Sequence, residues 1–125
     1  MTRRIRVLLV EDNAAYRETL AFLLGRRREV EIVGEVATGA EAAEASARLQ
    51  VDVAVVDVRL PDLGGAETAA AVRERTPGTS VVFLSASTGE DERRAAEASG
   101  VSLVRKDDGV EALVEAIEAS VRGRS

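Results

Sequence analysis

The stretch that decides the fold is Val53-Ala-Val-Val-Asp57, four consecutive apolar residues that end on a carboxylate. An apolar run without polar alternation is typical of a parallel strand that helices cover on both faces. Segments with helical spacing flank it, Gly39–Leu49 before and Gly65–Arg75 after. The stretch therefore predicts the central strand of an α/β sheet.

The same alternation of short β-branched runs and longer Ala-rich segments extends along the whole chain. Five strand–helix pairs predict a flavodoxin-like, doubly wound (βα)5 fold of the α/β class, because parallel crossovers are nearly always right-handed. Its five-stranded parallel sheet is expected in the order 2-1-3-4-5. The predicted strands are Ile5–Val10, Glu31–Ala37, Val53–Asp57, Ser80–Ser85 and Val101–Arg105, and the predicted helices are Ala14–Arg27, Gly39–Leu49, Gly65–Arg75, Glu90–Ser99 and Asp108–Arg122. In the first helix, Leu20, Leu23 and Leu24 are predicted to lie on one face.

Composition excludes several classes of function. The chain of 125 residues has no cysteine and no histidine, so disulfides, thiolate or imidazole zinc sites and imidazole bases are excluded. A net charge of −5 disfavours direct nucleic-acid binding, since phosphate neutralisation supplies most of that affinity. No apolar run approaches the roughly 18 residues of a membrane span. We expect a cytoplasmic protein with no membrane partner.

Polar residues stand where the predicted strands end. Glu11 and Asp12 follow the first strand, Asp57 ends the third, Ser85 ends the fourth and Lys106 follows the fifth. Open α/β sheets bind ligands beyond the carboxyl ends of their strands, near the point where strand order reverses. These five side chains are therefore predicted to converge on one edge of the sheet.

The chemistry of this set favours phosphoryl transfer. Like carboxylates 4 Å apart repel by roughly 1 kcal/mol in water and about 4 kcal/mol at an effective dielectric constant of 20. A cation relieves this repulsion, and Mg²⁺ suits a hard oxygen site with few protein ligands. Asp57 is the predicted nucleophile, because aspartyl phosphate is an established covalent intermediate. Lys106 can oppose the new negative charge, and Ser85 can donate a hydrogen bond to it.

These residues, in this order and spacing, resemble the receiver domain of two-component response regulators. The acidic pair lies in Leu8-Leu9-Val10-Glu11-Asp12-Asn13, and the D-x-x-x-P-x-x-x-G pattern is met by Asp57, Pro61 and Gly65. Ser85 and Lys106 end the fourth and fifth strands as in the family. The resemblance runs from Arg4 to about Arg122, so a receiver domain is predicted over residues 1–122 and a tail or start of a linker over 123–125.

The resemblance implies roles for single residues. Asp12 is expected to bind Mg²⁺ directly and Glu11 through water, while Asp57 supplies a carboxylate oxygen and Arg59 its backbone carbonyl. Lys106 is expected to pair first with Asp57 and then with the phosphoryl group, and Ser85 to turn inward and hydrogen-bond it.

The resemblance also implies partners. These are a sensor histidine kinase as donor, a homodimer formed on phosphorylation, and DNA contacted only through an output domain absent from this chain.

The sequence departs from the family at two positions. Leu103 occupies the usual place of an aromatic residue whose rotation reports phosphorylation, and Asp107 replaces a frequent proline after Lys106. The pairs Lys106-Asp107 and Glu11-Asp12 are similar to the residues at these positions in receivers of the NarL/LuxR-like, helix-turn-helix regulators. Arg59 and Ser87 flank the site where the family tunes its dephosphorylation rate.

Other interpretations remain open at this point. Each polar residue alone has an ordinary explanation as a helix cap, a turn former or a solvated lysine, but five such accidents at one edge are improbable. A haloacid-dehalogenase-like phosphatase has a second aspartate two residues after its nucleophile, where this chain has Arg59. A nicotinamide or flavin site is disfavoured because the first turn lacks G-x-G-x-x-G. A degenerate receiver that serves only as a docking module is the remaining alternative.

Overall fold

The computed structural model describes residues 3–86 and 89–123. Ser87, and Arg124 and Ser125 of the predicted tail, lie outside the described residues. The strands are β1 (Ile5–Val10), β2 (Val30–Val36), β3 (Val53–Asp57), β4 (Ser80–Ser85) and β5 (Ser102–Arg105), and the helices are α1 (Ala14–Gly25), α2 (Gly39–Arg48), α3 (Gly65–Arg75), α4 (Glu90–Ser99) and α5 (Gly109–Arg122). A single 3-10 turn, Lys106–Asp108, joins β5 to α5.

The five strands form one parallel sheet in the order β2-β1-β3-β4-β5, which confirms the predicted topology. Alternate residues of each strand enter two separate cores. Val53 and Val55 belong to the core that α1 and α5 cover, while Ala54 and Val56 belong to the core under α2, α3 and α4. This double burial explains why β3 reads as a continuous apolar run.

The helix boundaries follow from local chemistry. The side chain of Asn13 accepts a hydrogen bond from the Tyr16 backbone N–H, so Asn13 is the N-cap of α1. Gly100 ends α4 with a φ of 65°, a left-handed conformation that favours glycine. The prediction was wrong in placing the end of α1 at Arg27, since the helix ends at Gly25. Leu20 and Leu24 are buried, whereas Leu23 on the same face of α1 is 39% exposed.

Over the described ranges, the structure contains no helix with both the length and the apolar character that crossing a bilayer requires.

Candidate functional site

Strand geometry fixes where two carboxylates of the site lie. Glu11 continues the alternation of Val7 and Leu9, and Asp57 continues that of Val53 and Val55, so both lie on the side of the sheet that α1 and α5 cover. The Glu11 N–H extends the pairing of β1 with β2 by donating to the Val36 carbonyl at 3.0 Å. Both carboxylates are therefore attached to the ends of rigid central strands.

The acidic residues are brought together as the sequence predicted. One carboxylate oxygen from each of Glu11, Asp12 and Asp57 lies within 4.8 Å of the other two. Glu11 is 2% exposed and Asp57 is 7% exposed, whereas Asp12 is exposed to solvent. The cluster thus has a buried side formed by two strand ends and an open side formed by Asp12.

Lys106 joins this cluster from the 3-10 turn after β5. Its Nζ lies 2.7 Å from Glu11 Oε1 and 2.9 Å from Asp57 Oδ2. The turn is held by Asp108, whose carboxylate accepts the Arg105 backbone N–H at 3.2 Å. One ammonium group therefore bridges the two buried carboxylates.

Burial and charge shift two pKa values at this edge. Burial raises the pKa of Glu11, and the neighbouring Asp57 raises it further, although the hydrogen bond from Lys106 acts in the opposite direction. Burial alone would lower the pKa of Lys106, but its hydrogen bonds to Glu11 and Asp57 outweigh that effect and raise it. Lys106 is thus held as a cation, while the fold disfavours the charged form of Glu11.

Ser85 and Arg59 lie beside Asp57. Ser85 is buried and directly follows Leu84, the residue that pairs with Asp57 across β3 and β4. Arg59 donates its backbone N–H to Asp57 Oδ1 at 2.8 Å, while Lys106 donates to the other carboxylate oxygen, Oδ2. The structure therefore shows the Arg59 N–H as a contact of Asp57, while the role of its carbonyl stays a prediction.

Three residues around the site were not predicted from the sequence. The Tyr16 ring lies under Lys106, with Nζ 4.4 Å from the ring centroid. Arg17 Nη1 donates to the Glu11 carbonyl at 2.6 Å. Glu92, only 7% exposed, accepts the Arg59 guanidinium on one oxygen at 3.1 and 2.5 Å. The only sequence signal for Tyr16 and Arg17 was their position in the first turn after the Asn13 cap.

Leu103 lies at the place where the family usually has an aromatic residue. It is half-buried, pairs with Phe83 across β4 and β5, and packs against the core under α2, α3 and α4. An aliphatic side chain in this position fills the sheet surface without a ring that could rotate.

Comparison with known proteins identifies the family. The model of the response regulator receiver domain matches residues 7–118. The receiver domain of the putative response regulator NarL from Mycobacterium tuberculosis superposes with a TM-score of 0.89 at 31% identity, covering 98% of this chain and all of that one. A LuxR-family response regulator from Aurantimonas sp. gives a TM-score of 0.88 at 29% identity over 98% of this chain and 88% of that chain.

Curated relatives contain the same region within longer proteins. The transcriptional activator DevR/DosR of Mycobacterium tuberculosis is 35% identical over 97% of this chain, which spans 56% of that protein. A protein-glutamate methylesterase/protein-glutamine glutaminase of Cereibacter sphaeroides is 39% identical over 82% of this chain, but the match covers only 29% of that enzyme. The family model spans most of the chain, and the fold agrees over nearly its full length. The chain therefore belongs to the family of response regulator receiver domains.

Proposed function

We propose that this receiver domain accepts a phosphoryl group on Asp57 from a phosphohistidine of a sensor histidine kinase, in a reaction that depends on Mg²⁺. The observation that carries this proposal is the bridge of Lys106 Nζ between Glu11 and Asp57, at an edge where Asp12 brings a third carboxylate. A receiver needs this combination of a nucleophile, a fixed cation and an acidic metal site.

The transfer step is simple in its bonding. A carboxylate oxygen of Asp57 attacks the phosphorus, the new O–P bond forms, and the N–P bond to the imidazole breaks with its electron pair returning to nitrogen. The protein contributes position and charge. Lys106 and the Arg59 N–H hold the two oxygens of Asp57 from different directions, so the carboxylate meets its substrate in one orientation.

The donor set fits a hard cation such as Mg²⁺ and not a metal that prefers thiolate or imidazole ligands. Asp12, Asp57 and Glu11 offer only hard carboxylate oxygens, and Asp12 leaves the site open to solvent on one side. We propose Asp12, Asp57 and the Arg59 carbonyl as direct ligands and Glu11 as a ligand through water. When bound, the ion would neutralise charge on the phosphoryl oxygens and on the crowded carboxylates.

After transfer, Lys106 would pair with the phosphoryl group and Ser85 would donate a hydrogen bond to it. The added charge would alter self-association or contact with an output domain, which the NarL/LuxR-like relatives suggest is a DNA-binding, transcriptional one. We propose residues 1–122 as the switch domain of a cytoplasmic regulator, catalysing no reaction beyond its own phosphorylation and dephosphorylation.

Labelling with radioactive phosphate from a phosphorylated histidine kinase or acetyl phosphate tests the proposal. The wild-type protein should incorporate label with Mg²⁺ but not with EDTA, and Asp57→Asn should incorporate none. Asp52→Asn is the matched control, because Asp52 is a buried aspartate immediately before the start of β3. Mg²⁺-dependent labelling of Asp57→Asn would refute the assignment.

A titration with beryllofluoride separates the switch from its rivals. A switch should bind this phosphoryl mimic in the presence of Mg²⁺ and change its spectrum or oligomeric state, whereas a docking module should not respond. Multiple turnovers of a free phosphate ester would instead indicate a phosphatase.

A further inference from the structure

We propose that Tyr16 is a positioning residue whose ring face holds the Lys106 ammonium at the place where it must meet phosphorylated Asp57. The inference rests on the proposed function, because Lys106 acts there as the partner of the phosphoryl group. Tyr16 belongs to no motif of the sequence, and it is the only tyrosine in the chain.

The Lys106 ammonium contacts two carboxylates and one aromatic ring. Glu11 and Asp57 lie 2.7 and 2.9 Å from Nζ, and the ring centroid of Tyr16 lies 4.4 Å away. An ammonium has three N–H donors, so two carboxylates leave one direction for a different partner. An aromatic face attracts a cation within about 6 Å of its centroid, and this attraction grows when water is excluded. The Lys106 side chain is 19% exposed, which places the contact in a largely desolvated setting.

The contact of Lys106 with the ring differs from its contacts with the carboxylates because Mg²⁺ does not compete for the ring. A metal bound directly by Asp57, and by Glu11 through water, would compete with Lys106 for these two carboxylates and would also repel its charge. The Tyr16 ring carries no net charge at neutral pH and presents no hard oxygen on its face. Its attraction for the ammonium therefore persists in the metal-bound protein, where Lys106 is needed.

Space beside the lysine makes such a restraint necessary. A cavity of about 110 Å³ lies between α1 and α5, with Tyr16, Leu20, Leu84, Lys106, Val110 and Leu113 among its lining residues. A lysine has a flexible stem that loses much rotamer freedom when it is held in one place. The cavity offers the stem alternative positions, and the ring favours the one beside Asp57.

Ordinary packing is the competing explanation, since Tyr16 is half-buried and contacts the core under α1 and α5. Two substitutions separate the roles. Tyr16→Leu keeps an apolar side chain but removes the aromatic face, and Tyr16→Phe keeps the face but removes the hydroxyl. Phe22→Leu is the control for loss of an aromatic residue on the same helix, because Phe22 is 64% exposed.

The first measurement is the affinity for beryllofluoride in excess Mg²⁺. Tyr16→Leu should bind the mimic about three- to tenfold more weakly, the fold-change that a partly desolvated cation–π contact supplies. Tyr16→Phe should restore the affinity to within about twofold of wild type, and Phe22→Leu should not change it. Mg²⁺ affinity without the mimic should stay within about twofold in all variants, because Tyr16 provides no metal ligand.

The second measurement needs only the wild-type protein. The ε-methylene protons of Lys106 should show an upfield ring-current shift in NMR spectra, both before and after beryllofluoride binds. Loss of that shift in the complex would overturn the proposal, whether or not Tyr16→Leu folds.

The outcomes also separate this inference from the proposed function. If wild-type protein fails to bind beryllofluoride, the proposed function itself is wrong. If wild-type and folded Tyr16→Leu proteins bind it equally, the switch stands and the positioning role of Tyr16 is refuted. If Tyr16→Phe is as weak as Tyr16→Leu, the hydroxyl and not the ring face is responsible, which also refutes the proposal.

Discussion

Replacing Glu11 by glutamine should make the metal-free protein more stable near neutral pH, although it removes a carboxylate from an ion pair. Glu11 is buried beside Asp57, and burial raises its pKa. A carboxyl with a raised pKa in the folded state opposes folding when it is ionised. Glutamine has nearly the same shape and carries no charge, so it avoids that penalty.

The structure gives the size of the effect. At an effective dielectric constant of 20, the Lys106 contact at 2.7 Å attracts Glu11 by about 6 kcal/mol. Repulsion from Asp57 at the 4.8 Å limit costs about 3.5 kcal/mol, and repulsion from the exposed Asp12 costs about 1 kcal/mol in a water-like dielectric. The burial of the Glu11 carboxylate costs several kcal/mol more. This cost equals or exceeds the net attraction that is left when both repulsions are subtracted from the Lys106 attraction. We expect Glu11→Gln to stabilise the metal-free protein by about 1–2 kcal/mol, or roughly 4–8 °C in Tm.

The assay is thermal unfolding followed by circular dichroism, in EDTA and in excess Mg²⁺. The favourable contribution of the neutral Glu11 carboxyl is present below its unfolded value of 4.5 and is lost as pH rises through the raised folded pKa. The advantage of Glu11→Gln should therefore be largest near neutral pH and shrink toward pH 4.5. Mg²⁺ should stabilise the wild-type protein more than the variant, because it relieves the repulsion that the variant lacks.

Asp12→Asn is the matched control, since it makes the same carboxylate-to-amide change at an exposed member of the cluster. Its metal-free stability should rise by no more than about 1 kcal/mol, because the substitution relieves only the repulsion between the exposed carboxylate and Glu11 and no burial penalty. A Glu11→Gln protein that is clearly less stable than wild type in EDTA would show that the Lys106 attraction outweighs burial and repulsion, and the reasoning would be refuted.

Three further substitutions test other parts of the structure. Lys106→Met should keep or tighten Mg²⁺ binding but weaken beryllofluoride binding by tenfold or more, roughly the effect of losing one charged hydrogen bond. Isothermal titration measures both affinities, and a parallel fall of the two would contradict this role of Lys106. Asp62→Asn should lower Tm near neutral pH, because the backbone N–H groups of two residues at the start of α2 bind the Asp62 carboxylate and lower its pKa. This stabilising effect is lost as pH falls through the lowered pKa, so identical stability–pH curves for variant and wild type would contradict the prediction. Gly39→Ala should cost about 1–3 kcal/mol in urea unfolding, since a Cβ there would lie 2.5 Å from the Thr68 hydroxyl oxygen. Gly25→Ala is its control, because a Cβ at that position meets nothing within 4 Å.

The polar edge of the sheet was predictable because strand ends are local features of the sequence. Glu11, Asp12, Asp57 and Lys106 each follow a predicted strand, and the parallel topology then requires those ends to meet. The distances among these residues agree with that expectation. Helix ends were less accurate, since the last turn of α1 depends on hydrogen bonds from Arg26 rather than on side-chain pattern.

The alternation of short β-branched segments with longer helical segments, together with the polar residues at the strand ends, was thus enough to determine the sheet, its order and the acidic edge of this protein. Only the tertiary structure decided which side chains surround that edge. Tyr16 under Lys106 and Glu92 beside Arg59 join elements far apart in the chain. Contacts of this kind depend on how helices pack against the sheet, and no spacing within a single segment encodes them.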